Sequence, residues 1–314
     1  MPGDAGGVGW GKGNGVSDLL TFSNLEDAAR ALEASGDYKV LRRLVPREVF
    51  DTAEYQDARI GILLDVETTG LDAETDEIIE LGMLKFTLTP DGRVGRVVER
   101  FQGFREPRVE IPANVTEITG ITPQMVAGQS IDAERVERFI ADAALVIAHN
   151  ARFDRRFSER LWPGFVGKHW ACSQTEVDWR ARGHAGARLG YLLYDRGLFH
   201  DGHRAVNDCE AQLELLAGAG DGGRTPLGEL LENARKVKVR VSAVGAPFEA
   251  KDILKARGYR WNNGDGGGHR AWWIDVDAAA AAAEVAYLRA EIFKREADIP
   301  AQRISGMERF SARE

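Results

Sequence analysis

The run RIGILLDVE, Arg59 to Glu67, constrains this chain more than any other stretch. Up to Leu64 it is nearly all apolar, with none of the polar alternation of a sheet face open to water. That composition fits a central strand buried on both faces. The run then ends in Asp65 and Glu67. Side chains two apart on a strand point to one face, so the two carboxylates converge. Such a pair is costly to bury unless a proton or a cation lies between them. Thr68-Thr69-Gly70 turns the chain next, which puts the acidic spot at the sheet's end, open to a ligand.

The surrounding pattern predicts an α/β fold. EIIELGMLKFTLT, the turn Thr89-Pro90-Asp91-Gly92 and RVVERFQGF read as a hairpin. A loop region with Pro112 and Pro123 precedes the helix IDAERVERFIADA. The strand LVIAHN, the helix ARFDRRFSERLW, the strand HWACSQTEVDW and the helices RLGYLLYDRG and AVNDCEAQLELLAG follow. Hairpin strands first and alternating units later imply a mixed sheet flanked by helices, over residues 59–220. Upstream, residues 1–23 are mostly glycine and small, the composition of a disordered tail. Their GWGKGNG lacks the Ser or Thr that follows the lysine of a phosphate loop. Residues 24–58 form a helical extension in which LEDAARALEAS and YKVLRRLVPREVF are amphipathic. Asp221-Gly222-Gly223 opens a linker over 221–234, and 235–314 read as a small α+β module. Its elements are the strand KVRVSAV, the helix AKDILKARG, the strand YRWN, a glycine-rich turn, the strand AWWIDV and a helix opened by Asp277.

Two further places repeat the pairing of an acid with a strand end or a helix start. In VIAHNARFDRRF, His149 and Asn150 end a strand and Asp154 stands about one turn into a helix. In HRAVNDCEAQLELL, His203 precedes a helix and Asp208 lies inside it. Each alone has an ordinary explanation: a solvated pair, an acid favoured by the helix dipole, a capping histidine. Together and in this order they resemble the DEDDh exonucleases, the group that includes the proofreading epsilon subunit of bacterial DNA polymerase III. Asp65-Val66-Glu67-Thr68-Thr69-Gly70-Leu71 matches the first motif of that family. His149-Asn150-Ala151-Arg152-Phe153-Asp154 matches the second, and His203-Arg204-Ala205-Val206-Asn207-Asp208 the third. ITGIT, Ile118 to Thr122, is similar to the family's segment between the first two. The resemblance covers roughly Arg59 to Ala217, with no departure at the five defining positions.

The resemblance implies a ribonuclease H-like fold and 3′→5′ removal of mononucleotides from DNA ends, in proofreading or repair. It implies two Mg²⁺ or Mn²⁺ ions as cofactors, hard cations that suit oxygen ligands. Asp65 then bridges or anchors the metals, Glu67 and Asp208 complete one site, and Asp154 supports the second. His203 is the general base, since an imidazole ordinarily titrates near neutrality. Thr68, Thr69, Gly70 and Leu71 lie beside the terminal nucleotide, with Leu71 available to stack on or wedge against a base. His149 and Asn150 serve either structural hydrogen bonding or substrate contact. Cys209 is expected to pack inward, and Glu210 to face away from Asp208. Two alternatives stay open. One is an RNA-trimming exonuclease of the same family, because the five motif residues do not read the sugar. The other is a catalytically idle nucleic-acid-binding or polymerase-associated protein.

The net charge of −8 excludes a chain coated in basic residues, though not a local patch. Between Arg235 and Arg270 there are nine basic residues and three acidic ones, with Tyr259, Trp261, Trp272 and Trp273 interleaved. Cations for phosphates and aromatics for bases are what single-strand binding uses. Lys251, Lys255, Arg260, Trp261, Trp272 and Trp273 are therefore candidates for nucleic-acid contact. The same aromatics equally serve as the core of so small a domain. Cys172 and Cys209 make no disulfide framework, and no apolar run reaches the ~18 residues of a membrane span. With no signal-peptide pattern, the expected compartment is the cytoplasm. The expected partners are DNA, with RNA as the alternative, and a polymerase or other replication or repair protein.

Overall fold

Strand alternation explains the centre of the molecule. Ile62, Leu63 and Leu64 are all fully buried, because successive side chains enter opposite faces and both faces are covered. Ile62 and Leu64 join a core with Val146, Phe157 and Trp170, while Leu63 joins another with Leu84, Leu192 and Leu213. This computed structural model describes residues 24–218, 223–264 and 270–312. The expected glycine-rich tail, most of the 221–223 hinge and most of the glycine-rich turn lie outside the described residues.

Two units divide the chain after Arg42. In the first, Asn24 caps the helix Leu25–Ala34 by accepting from the Asp27 amide. Arg42 pairs with Glu26 and Glu33 at 2.8 and 3.2 Å.

The second unit holds a five-stranded sheet of β1 Arg59–Thr68, β2 Ile78–Leu88, β3 Val94–Phe104, β4 Leu145–Ala148 and β5 Trp170–Cys172, in the order β3-β2-β1-β4-β5. The hairpin partners are antiparallel, and β4 and β5 add in parallel. Helices α1 Ala133–Ile140 and α2 Ala151–Leu161 pack on one face. Helices α3 Ala205–Leu216 and α4 Pro226–Arg235 pack on the other. This mixed sheet flanked by helices is the α/β arrangement that the sequence predicts.

Some local expectations change. YKVLRRLVPREVF is not helical. Pro46 and the β-branched Val40, Val45 and Val49 disfavour a helix. Its last residues pair instead with the edge of β3, where the Phe50 amide donates to Gly95 O at 2.8 Å. The expected linker contains α4, whose Leu227, Leu230 and Leu231 are buried at helical spacing. The strand read over HWACSQTEVDW stops at Cys172, where Glu176 turns back to accept from the Cys172 amide at 2.8 Å.

A second, antiparallel sheet has the order β9-β6-β8-β7, from β6 Lys238–Val244, β7 Arg260–Asn262, β8 Ala271–Asp277 and β9 Ala301–Ile304. Helical turns over 251–256 and 278–293 flank it. The expected helix after Asp277 forms over Ala281–Tyr287, and the described residues continue beyond it. After β9 the chain returns to the main sheet, where the Trp170 amide donates to Gly306 O at 3.2 Å. Buried Arg155 donates to the Met307 and Arg309 carbonyls, and Arg309 pairs with Glu176.

Candidate active site

The end of the central strand β1 and the starts of α2 and α3 meet at one end of the main sheet. Asp65, Glu67 and Asp208 each bring an oxygen to within 4.8 Å of the other two. Gly82 makes this approach possible. It faces Asp65 across the β1–β2 pair, and a Cβ there would lie 2.4 Å from the Ala205 carbonyl carbon. Without a side chain at that point, α3 lies directly on the sheet and carries Asp208 to the end of β1. Asp154 is buried beside this group, with Oδ1 accepting from the Val66 amide at 3.2 Å. Asn150 opens α2 with φ of 86°, a left-handed conformation that asparagine tolerates.

Crowding and burial set the electrostatics. Burial, then repulsion from Asp154, Asp208 and Glu67, holds the Asp65 carboxyl well above the usual carboxylate range. Burial first, then Asp208 and Glu80, pushes Glu67 up to about 8. Burial does the same to Asp154, also to about 8, against the opposing hydrogen bond from Val66. A set of carboxylate oxygens that repel one another, with no thiolate among them, fits a hard divalent cation, whose charge removes that repulsion.

Two groups at the site were not singled out in the sequence. Glu80 is fully buried and faces Glu67 across the strands. It accepts from Gln102 Nε2 at 2.5 Å and from Arg204 Nε and the Ala205 amide at 3.3 Å each. Glu80 thereby ties the start of α3 to β2 and pairs with Arg204 at 3.3 Å. The only signal for it was an acid inside the apolar run IIELGM. The second is His200, whose Nε2 lies 2.6 Å from Asp208 Oδ1. His203 is exposed, at φ of 58°, with no hydrogen bond among the described residues.

The other candidates divide by role. Thr68 Oγ1 donates to Gly70 O at 2.5 Å, and Thr69 Oγ1 accepts from the Glu77 amide at 3.0 Å. Both threonines are buried and shape the turn. A Cβ on Gly70 would meet the Asp76 carboxylate at 2.4 Å. Leu71 is 87% exposed. His149 donates from Nε2 to Ala187 O at 2.6 Å, which leaves Nδ1 to accept from Ser173 Oγ at 2.8 Å. Burial lowers its pKa, in keeping with a neutral ring committed to the fold. Cys209 is buried, and Glu210 pairs with Arg100 at 2.5 Å.

In the second sheet, Trp272 packs into the local core and makes an edge contact with half-exposed Trp261 at 5.6 Å. Trp273 takes the opposite face. Lys251 lies 4.7 Å over the exposed Phe248 ring, and Lys255 and Arg260 are exposed.

Residues 62–216, just under half of the chain, match the exonuclease (RNase_T) family model. The chain is similar to the DNA polymerase III PolC-type of Bacillus subtilis (strain 168), 33% identical over 216 residues. That match covers 62% of this chain and 13% of the relative. It is also similar to the DNA polymerase III PolC-type of Caldanaerobacter subterraneus subsp. tengcongensis, 34% identical over 202 residues, covering 59% and 14%. The chain thus spans a small part of the curated relatives it matches. Among solved structures, an exonuclease I aligns with a TM-score of 0.47 at 16% identity, covering 80% of this chain and 63% of that one. Among the described residues, no helix is long and apolar enough to cross a membrane.

Proposed function

We propose that this chain removes nucleoside 5′-monophosphates from DNA 3′ ends, in proofreading or repair. The observation that supports this most is the convergence of Asp65, Glu67 and Asp208 beside buried Asp154, within the stretch that matches the exonuclease family model. In this reading Asp65, Glu67 and Asp208 hold one Mg²⁺ or Mn²⁺, and Asp65 and Asp154 support a second. Bound ions supply a nucleophile at neutral pH and a sink for charge on the attacking and leaving oxygens.

The chain's own residues orient and move protons around that centre. His203, exposed on its left-handed turn, takes the proton of the attacking water as general base. His200 at Oδ1 and the Arg204 amide at Oδ2, 2.6 and 3.1 Å away, hold the Asp208 carboxylate in one orientation. Leu71, exposed beside the Thr68–Gly70 turn, packs on the terminal base. A polymerase or another replication or repair protein is the proposed partner, a reading supported by the PolC-type relatives.

The test is degradation of end-labelled single-stranded DNA, duplex DNA and RNA of matched sequence by the full chain, with Mg²⁺ and with EDTA. Stepwise mononucleotide release from DNA 3′ ends, abolished by EDTA, is the expected result. Preference for RNA selects the trimming reading. Release from 5′ ends, or none with either Mg²⁺ or Mn²⁺, overturns the proposal.

A further inference from the structure

A cleft lies between the start of α2 and one face of the second sheet. Along β8, Trp272, Ile274 and Val276 turn to that sheet's own core. Alternation therefore sends Trp273 and Asp275 to the other face. Asn150 and Arg152 of the α2 start line the cleft together with Lys238, Arg260, Trp273 and Asp275, around a volume of about 410 Å³. Trp273 is central to it. The guanidinium groups of Arg240, Arg152 and Arg260 lie 3.8, 5.2 and 5.6 Å from its ring centroid.

The charge of the cleft is opposite to that of the chain. Arg152, Lys238, Arg260 and Arg309 line it, against the carboxylates of Glu176 and Asp275. Asp275 is paired with Arg240 at 2.8 Å, Glu176 with Arg309, and Lys238 with Asp277 at 2.6 Å. Arg260 has no carboxylate partner among the described residues. A positive cleft around an indole, at the start of the helix that carries Asp154, contrasts with the acidic active site in a chain of net charge −8.

We propose that this cleft takes the single strand behind the terminal nucleotide, with phosphates against Arg152 and Arg260 and a base against Trp273. The proposal rests on the exonuclease reading for its link to the active site. Cationic grooves with an aromatic platform bind single strands by charge and stacking, with little sequence preference. The volume is near the small end of ligand pockets, which run from about 300 to 1,000 Å³, a size that suits one unstacked nucleotide. Trp272, on the core side, belongs to folding rather than to binding.

The experiment uses the full chain carrying Asp65→Asn, so that the strand is not consumed, and fluorescence anisotropy with oligothymidylate of about 20 nucleotides. Arg260→Glu is expected to weaken binding roughly tenfold or more and to reduce the salt slope by about one. Trp273→Leu is expected to weaken it similarly, with a melting temperature measured alongside. Arg260 is exposed, so its variant keeps the test valid if Trp273→Leu loosens the second sheet. Parental affinity and salt slope in both variants overturn the proposal and leave the cleft to a protein partner. An equal loss with a duplex of the same length overturns the single-strand assignment. Mononucleotide release by the unsubstituted chain is scored separately. If release occurs but binding ignores Arg260, only the cleft proposal fails. If Arg260→Glu weakens binding but no release occurs, the exonuclease reading fails and the cleft stands.

Discussion

Glu67 offers a test of the site that does not depend on turnover. Its carboxyl is raised from 4.5 to about 8, by burial and then by Asp208 and Glu80. In the unfolded chain it titrates near its ordinary value, so between about pH 4.5 and 8 the metal-free folded state holds a proton that the unfolded state has lost. The stabilising contribution is fully present below about pH 4.5 and is lost as pH rises through about 8. The rise from 4.5 to about 8 corresponds to about 5 kcal/mol, at 1.36 kcal/mol per pH unit. Asp65 and Asp208 share the same repulsion, so replacing one carboxylate relieves a fraction of it, on the order of 1–3 kcal/mol. Glu67→Gln should therefore raise the melting temperature in EDTA at pH 8, by roughly 2–4 °C per kcal/mol. Near pH 4.5 the variant and parent should melt together. Mg²⁺ should stabilise the parent more than the variant, which lacks one carboxylate of the cluster; the parent gains about 2.7 kcal/mol at a hundred times its dissociation constant. A variant that melts below the parent at pH 8 in EDTA refutes the crowded-carboxylate account.

Asp65→Asn should abolish mononucleotide release while the protein stays folded, and it should lose the thermal stabilisation by Mg²⁺; substantial Mg²⁺-dependent release by the purified variant removes Asp65 from the site. His203→Ala should lower kcat by roughly 10²–10⁴-fold and flatten the acid limb of the pH–rate profile. His200→Ala should act through Asp208, weakening metal affinity by about 10–100-fold with partial recovery at high Mg²⁺; a large loss that no Mg²⁺ restores would make His200 the base. Gly82→Ala should force α3 away from β2, with a melting temperature and an activity both below those of the parent; a variant matching the parent in both would show that Gly82 does not govern the placement of Asp208.

How much of this was legible in the sequence follows from the range of the interactions involved. The buried character of β1, the adjacency of Asp65 and Glu67 on one face, and the helix starts at Ala151 and Ala205 come from periods of two and 3.6 residues, which a short stretch reveals. The ordered motifs carried the likeness to an exonuclease, later matched by the family model over 62–216. Residues 38–50 carry an amphipathic pattern, but Pro46 and the β3 edge that pairs with the end of that stretch override it. Helix α4 went unread because a glycine-rich approach masked its Leu227, Leu230 and Leu231 spacing. Alternation puts Trp272 and Trp273 on opposite faces, but only the packing around β8 decided which of them turns to the core. Tertiary structure alone placed Gly82 opposite Asp65 and under Ala205, tied Glu80 to Arg204, and set His200 against Asp208. Gly82 and Glu80 meet residues more than a hundred positions away, and the touching of His200 and Asp208 depends on how the chain turns into α3. A local period says which residues share a face; what that face meets depends on contacts that only the folded chain makes.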